Sequence, residues 1–222
     1  PSTACKVQTQ IGAEHAVAFD INAACSGFLY GLHVADAFFK GGIYKNALVI
    51  GAESLSKIVD WTDRGTCVLF GDGAGAAFLE ASEEGGILSQ SVGSNGEKWE
   101  VLSCPKGGYL QMNGQEVFKF AVRTVPQCVE DALEKADLKA DDVDLFLLHQ
   151  ANVRIIQSVA KRLGQPEEKF PMNMNECGNT SAASLPILMA QLDEQGRFHR
   201  GDKVVLSGFG AGLTWGACVM EW

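Results

Sequence analysis

No stretch of this sequence approaches the roughly 20 uninterrupted apolar residues of a helical membrane span, so a membrane is not an expected partner. Positive charge is scarce: 18 Lys and Arg stand against 27 Asp and Glu, for a net charge of −9. Nucleic acid demands a broad basic surface and is therefore not an expected partner either. The seven cysteines (Cys5, Cys25, Cys67, Cys104, Cys128, Cys177 and Cys218) are odd in number and widely spread. None forms a C-x-x-C pair or a compact Cys/His cluster, which argues against a disulfide framework and against a metal site. A reducing cytoplasm is the simplest setting. The chain starts at Pro1 without Met, so a targeting segment ahead of it would not be visible, and a plastid location stays open.

What is present is an ordinary globular balance, 46% hydrophobic and 20% charged, with material for a sizeable core. Short apolar runs predict strands at Val17–Ile21, Ala47–Gly51, Thr66–Phe70, Ala76–Glu80, Val143–Leu148, Lys203–Ser207 and Ala217–Glu221. Helical spacing predicts helices over Ser26–Lys40, Glu116–Ala136, Asn152–Leu163 and Thr180–Gln195, with Pro126 a possible kink in the second. Residues 83–108 read as loops with short strands.

An internal repeat orders these elements. Gly75-Ala76-Ala77-Phe78-Leu79-Glu80 lines up with Gly216-Ala217-Cys218-Val219-Met220-Glu221, and Phe70-Gly71-Asp72-Gly73 with Phe209-Gly210-Ala211-Gly212. The expected fold is α/β, in two similar halves: residues 1–105 with the candidate nucleophile and 106–222 with its partners. Alternating strands and helices imply mostly parallel, helix-covered sheets.

Cys25 follows a strand and a turn of small residues and opens a helix. Free N–H groups and the helix dipole favour a thiolate there, with an expected pKa drop from about 8.5 to well below about 7.5. The same N–H groups can hold an oxyanion. His149 ends an apolar strand, where functional groups gather in α/β sheets. Asn179 precedes a run of tiny residues that opens a second helix. Under the repeat this helix start is the counterpart of the first. Close approach of the two would bring Asn179 near Cys25, although helix capping explains an asparagine there equally well.

These residues lie in motifs that resemble one family. Ala24-Cys25-Ser26-Gly27-Phe28, Asp63-Arg64-Gly65-Thr66, Phe70-Gly71-Asp72-Gly73-Ala74-Gly75-Ala76, Gly114-Gln115-Glu116-Val117-Phe118-Lys119, His149-Gln150-Ala151-Asn152, Gly178-Asn179-Thr180-Ser181-Ala182-Ala183-Ser184, Phe209-Gly210-Ala211-Gly212 and Thr214-Trp215-Gly216 occur in this order. The chain resembles β-ketoacyl-acyl carrier protein synthase III over essentially its whole length. The resemblance implies a thiolase-like fold of five α-β-α-β-α layers, with the first half truncated at its N-terminus. It implies a Cys25, His149 and Asn179 triad that joins an acyl-CoA primer to malonyl-acyl carrier protein, initiating fatty acid synthesis, with no cofactor. Backbone amides of Cys25 and Ala211 match an oxyanion hole. Arg64, Phe70, Phe118, Ala151, Asn152 and Phe209 match substrate and CoA contacts. A homodimer is implied, and the helix with Phe38 and Phe39 is compatible with one. Ala211 departs from the glycine of many relatives.

Two alternatives remain at this point. A polyketide-type condensing enzyme uses the same three residue types, although it usually has Pro in the last glycine turn. A Cys-His-Asn thioester hydrolase would use Asn179 to orient the His149 ring. An acidic chain also needs a local basic patch to meet an acidic carrier protein. Arg154, Ser158, Lys161 and Arg162 share one helix face, whose opposite side is expected to bury Val153, Ile156, Val159, Ala160 and Leu163. Lys119 is an additional candidate contact.

Overall fold

The structure, a computed structural model, describes residues 1–222. In chain order it contains α1 (Thr3–Gln10), α2 (Gly27–Lys40), β1 (Asn46–Glu53), β2 (Gly73–Glu80), β3 (Gly86–Ser94), β4 (Leu102–Ser103), β5 (Gln111–Met112), α3 (Gly114–Lys135), β6 (Leu145–Leu148), α4 (Val153–Leu163), α5 (Met174–Cys177), α6 (Ser184–Glu194), β7 (Lys203–Gly210) and β8 (Thr214–Glu221).

The repeat is a repeat of register. In the antiparallel β1–β2 pair Asn46 faces Glu80 and Gly51 faces Gly75. In the antiparallel β7–β8 pair Lys203 faces Glu221 and Gly208 faces Gly216. One offset carries Asn46 to Lys203 and Gly51 to Gly208 (208 − 51 = 157). Each glycine pair leaves a strip without side chains, and a helix start occupies it. A Cβ on Gly51 would lie 2.7 Å from the carbonyl carbon of Ala182, and one on Gly75 2.8 Å from the nitrogen of Ile187. A Cβ on Gly208 or Gly216 would stand 3.4 Å from Leu29 in α2. Absent side chains thus set how deeply α6 and α2 settle between the sheets.

Four layers result. The β1–β2 pair covers α2 and α6. The sheet β3-β8-β7-β6 lies beneath them, and α3 and α4 cover its far face. β6 is buried at every position, and its alternate residues face two cores. Leu145 and Leu147 join Phe28, Leu29, Leu185 and Leu188 between the sheets. Phe146 and Leu148 join Val125, Val129, Ile156 and Val159 beneath α3 and α4.

Several sequence expectations are corrected. The sheets are not mostly parallel: only β6–β7 is, while β1–β2, β3–β8 and β7–β8 are antiparallel. β7 and β8 are joined through residues 211–213, and a parallel crossover needs about a dozen residues or more. Val17–Ile21 forms no strand, and Val17, Phe19 and Ile21 are exposed. Thr66–Phe70 is mostly a series of turns: the N–H groups of Thr66 and Cys67 donate to the carbonyl of Asp63, and Phe70 makes a single bridge with Asn179. The region read as loops contains the nine-residue β3, which is stabilised by pairing with β8 rather than by its own composition. β3 precedes residue 105 yet forms the edge of the sheet built from β6–β8.

The Ala47–Gly51 run was expected to be a buried strand, but Leu48 and Ile50 are exposed on the outer side of the β1–β2 pair, as is Phe78. The chain thus supplies β-α-β-α, four of the five expected layers. α6 begins at Ser184 rather than Thr180, which puts Pro186 in the first turn, where its missing N–H costs no helix bond. α3 runs through the buried Pro126 as one element. α1 was not anticipated; the Asp20 carboxylate accepts the N–H groups of Thr3 and Ala4 at its start, a cap remote in sequence.

Candidate active site

Two helix starts meet here with the same local construction. Before α2, Ala23–Ser26 forms a tight turn in which Ala24 takes a φ of 47°. Asn22 Oδ1 accepts the Ala24 N–H at 3.1 Å. Before α6, Ser181 takes a φ of 50°, and Asn179 Oδ1 accepts the Ser181 N–H at 2.9 Å. The strand offset applies again, from Asn22 to Asn179 and from Ala24 to Ser181 (181 − 24 = 157). Asn22 is therefore the counterpart of Asn179, and Ala182 of Cys25. A left-handed conformation costs a residue with a Cβ roughly 1–2 kcal/mol. The asparagine turns offset part of that cost.

Neighbouring strands fix both starts. A Cβ on Gly210 would lie 2.6 Å from the nitrogen of Cys25, so β7 abuts the Cys25 backbone. Thr214 Oγ1 donates to the carbonyl of Ala23 at 2.9 Å. The Asn179 backbone is clamped by the 69–71 segment: its N–H donates to Leu69 O at 2.8 Å, and its carbonyl accepts the Gly71 N–H at 3.0 Å. With its side-chain oxygen held by Ser181, Asn179 has its amide N–H₂ as the free donor.

His149 follows β6, its N–H donating to Ser207 O at 2.8 Å. Its ring is buried, edge-on to Phe209 with centroids 5.7 Å apart. Burial lowers its pKa to about 4, so it is neutral at pH 7. Its Nδ1 lies 2.7 Å from Ser184 Oγ. Asn179 therefore does not orient the ring, which removes the geometric basis of the hydrolase alternative.

Cys25, His149 and Asn179 line one cavity of about 300 Å³. Phe70, Phe118, Ala151, Asn152 and Phe209 line it too, but Arg64 does not; only its neighbour Gly65 does. Asn152 also caps α4, its Oδ1 accepting the Arg154 N–H at 2.8 Å. Leu102, Met112, Val117 and Ile155 complete an apolar wall absent from the sequence reading. Leu102 and Met112 face each other across β4 and β5, two-residue strands with no periodicity to read. Ala211 is not among the residues of positive φ, which explains why alanine is tolerated there.

The expected low cysteine pKa is overturned. Cys25 is 8% exposed, and its pKa is raised to about 11. Burial is the main cause; the Ser181 hydroxyl offsets it partly, and the Glu53 carboxylate adds to it. One turn of backbone dipole does not outweigh desolvation of a thiolate. Glu53 was also missed: its Oε1 accepts the Ala182 N–H at 3.3 Å, across the two helix starts.

The basic face of α4 is partly retained. Arg154 and Lys161 are exposed and form no salt bridge. Arg162 lies near the other end, on a separate concavity with Glu130, Glu134 and Asp137. Lys119 pairs with Glu116 at 2.9 Å, which offsets its charge. On the inner side Ile155 is buried, whereas Val153 is 45% exposed.

Residues 19–96 match the 3-oxoacyl-[acyl-carrier-protein (ACP)] synthase III family, and residues 133–222 match the C-terminal region of the same synthase. The chain is 47% identical to β-ketoacyl-[acyl-carrier-protein] synthase III of Clostridium tetani, across 100% of the chain and 73% of that protein. It is 50% identical to β-ketoacyl-[acyl-carrier-protein] synthase III 1 of Bacillus cereus, across 100% of the chain and 71% of that protein. The chain belongs to the 3-oxoacyl-acyl carrier protein synthase III family. The crystal structure of 3-oxoacyl-[acyl-carrier-protein] synthase III from Aquifex aeolicus VF5 superposes with a TM-score of 0.98 at 49% identity, covering 100% of this chain and 72% of that one. The fold is thus the thiolase-type fold of synthase III enzymes, and the chain is an acyltransferase of that family. No helix is long and apolar enough to cross a membrane.

The buried thiol gives a testable pH dependence. A pKa near 11 leaves only a small thiolate fraction at pH 7 to 9, rising about tenfold per pH unit. Alkylation of Cys25 by iodoacetamide, followed by peptide mass spectrometry, should climb over that range without a plateau. A plateau below pH 8 would show a thiolate stabilised by the helix start instead.

Proposed function

We propose that Cys25, His149 and Asn179 divide the synthase III reaction between them. The reaction condenses an acyl-CoA primer with malonyl-acyl carrier protein and opens fatty acid synthesis. The Cys25 sulfur attacks the primer's thioester carbon, its S–C bond forms, and CoA leaves as the thiol with the proton displaced from Cys25. The backbone N–H groups of Cys25 and Ala211 hold the oxyanion of this step. Malonyl-acyl carrier protein then enters. Its carboxyl C–C bond breaks, CO₂ leaves, and the electron pair moves onto the thioester as an enolate. A ring N–H of His149 and the Asn179 amide donate to the enolate oxygen. The enolate carbon attacks the acyl carbon on Cys25, the sulfur leaves as a thiolate that takes up a proton from water to restore the neutral thiol, and the β-ketoacyl product stays on the carrier. The bond-forming electrons come from decarboxylation, so the sequence needs no redox or electrophilic cofactor.

The observation carrying this reading is the meeting of the three side chains on one apolar wall, with the histidine buried and neutral. A neutral imidazole donates a hydrogen bond through its one N–H, which is far less acidic than imidazolium and does not quench the enolate. Phe70, Phe118, Ala151, Asn152 and Phe209 form the pantetheine and acyl path, and Arg64 stands outside it for the nucleotide end of CoA. Nothing in the cavity favours the polyketide-type alternative. The protein acts in the cytoplasm as a homodimer, with the Phe38 side of α2 near its subunit contacts. Phe38 packs edge-on against Phe19 and Tyr44, which holds that side together.

His149→Ala and Asn179→Ala should each slow malonyl-acyl carrier protein decarboxylation by about 10²–10³. Both should retain acylation of Cys25 from acyl-CoA, since neither donor serves that step. Equal loss of both half-reactions in Asn179→Ala would contradict this division of roles.

Arg154 and Lys161 form the carrier-docking face, with Arg162 at its periphery and Lys119 a weaker contributor through its Glu116 pair. Arg154→Glu and Lys161→Glu should raise KM for malonyl-acyl carrier protein and leave Cys25 acylation by acyl-CoA unchanged. The effect should shrink with salt, because exposed charges are screened over about 8 Å at 0.15 M. Unaltered carrier kinetics at low salt would move docking elsewhere.

A further inference from the structure

We infer that Ser184 fixes which nitrogen of His149 carries the proton, and is thereby a positioning residue for the donor that meets the substrate. The inference deepens the role given to His149 above and rests on that reading for its catalytic consequence. Ser184 opens α6 and is 2% exposed. Its Oγ has two hydrogen-bond partners, His149 Nδ1 at 2.7 Å and the Gln150 N–H at 3.4 Å.

The second partner decides the direction of the first. A hydroxyl has one proton to donate and two lone pairs to accept with. The backbone N–H of Gln150 can only donate, so Ser184 Oγ accepts there. If the imidazole also donated through Nδ1–H, the hydroxyl would accept twice and its own proton would face no acceptor. Buried donors without acceptors are rare and costly. If the hydroxyl donates to Nδ1 instead, all three groups are satisfied. Nδ1 is then the acceptor, and the proton of the neutral ring sits on Nε2. Burial keeps the ring neutral, so the two nitrogens hold one proton between them.

The consequence is directional. Nδ1 faces α6, so an Nδ1–H tautomer would give its hydrogen bond to Ser184 and leave a lone pair on the other nitrogen. An Nε2–H tautomer presents a donor on the side of the ring away from α6. His149 lines the cavity with Cys25 and Asn179, where charge on the enolate oxygen requires donors. Ser184 belongs to the small-residue run of the Asn179 motif, and a serine there supplies a hydroxyl that close packing alone does not require.

The test is nitrogen NMR of the full chain with ¹⁵N-labelled histidine, His149→Ala identifying the signals among the four histidines. In the wild type, Nδ1 should show an unprotonated, pyridine-type shift and Nε2 a protonated, pyrrole-type shift. Ser184→Ala should move both toward a mixture and lower the rate of condensation by tenfold or more, with Cys25 acylation largely retained. Ser184→Thr, which keeps the hydroxyl, should restore the wild-type pattern. A protonated Nδ1 in the wild type would overturn the inference without any variant, as would an unchanged pattern in a folded Ser184→Ala. If the tautomer is as stated but His149→Ala still decarboxylates malonyl-acyl carrier protein, the role given to His149 fails and the tautomer assignment stands.

Discussion

Desolvation governs this site. Cys25, His149 and Asn179 share a cavity whose walls are largely apolar, and the first two are pushed toward their neutral forms. A neutral thiol is a poor free nucleophile, so the site does not store a thiolate; in the proposed mechanism, attack is coupled to loss of the proton as the thioester arrives. A neutral histidine suits the second half-reaction, in which negative charge appears on an oxygen and needs donors. Low local polarity strengthens each such bond. Under the proposed division of roles, the same burial that handicaps the cysteine at rest strengthens the hydrogen bonds that His149 and Asn179 offer the enolate.

Burial of this kind requires dense packing around backbone, and glycine and alanine supply it. Gly51 admits the backbone of Ala182, Gly210 admits that of Cys25, and Gly27 approaches Ala182 closely. Each helix start is then bent by an asparagine turn and a left-handed residue, Ala24 or Ser181. One turn presents Cys25. The other presents the amide of Asn179 and, three residues beyond Ser181, the Ser184 hydroxyl that meets His149. One local construction, used twice, thus presents two different sets of side chains to the cavity.

Much of the site was legible because its residues sit at element boundaries: Cys25 and Asn179 before helices, His149 after a strand. Glycine spacing revealed the repeat, although the strand register was needed to show that Asn22, not Cys25, corresponds to Asn179. The direction of the Cys25 pKa shift was not legible, because a helix start is a local feature and burial is a tertiary one. Strand direction was misread for a similar reason, since apolar runs say that a strand is buried but not how its neighbour runs. β3 and the Leu102–Met112 wall depend on partners distant in sequence. Ser184 and Glu53 escaped notice because single hydrogen bonds leave no pattern in a sequence.

The central claim is that acyl groups pass through Cys25 within this cavity. Its most direct measurement is the intact mass of the full chain after incubation with acetyl-CoA, followed by peptide mapping. The account requires one acetyl group per chain, on the peptide carrying Cys25, and its removal when malonyl-acyl carrier protein is added. An acetyl group on any of the other six cysteines, or one on Cys25 that malonyl-acyl carrier protein leaves in place, would contradict it.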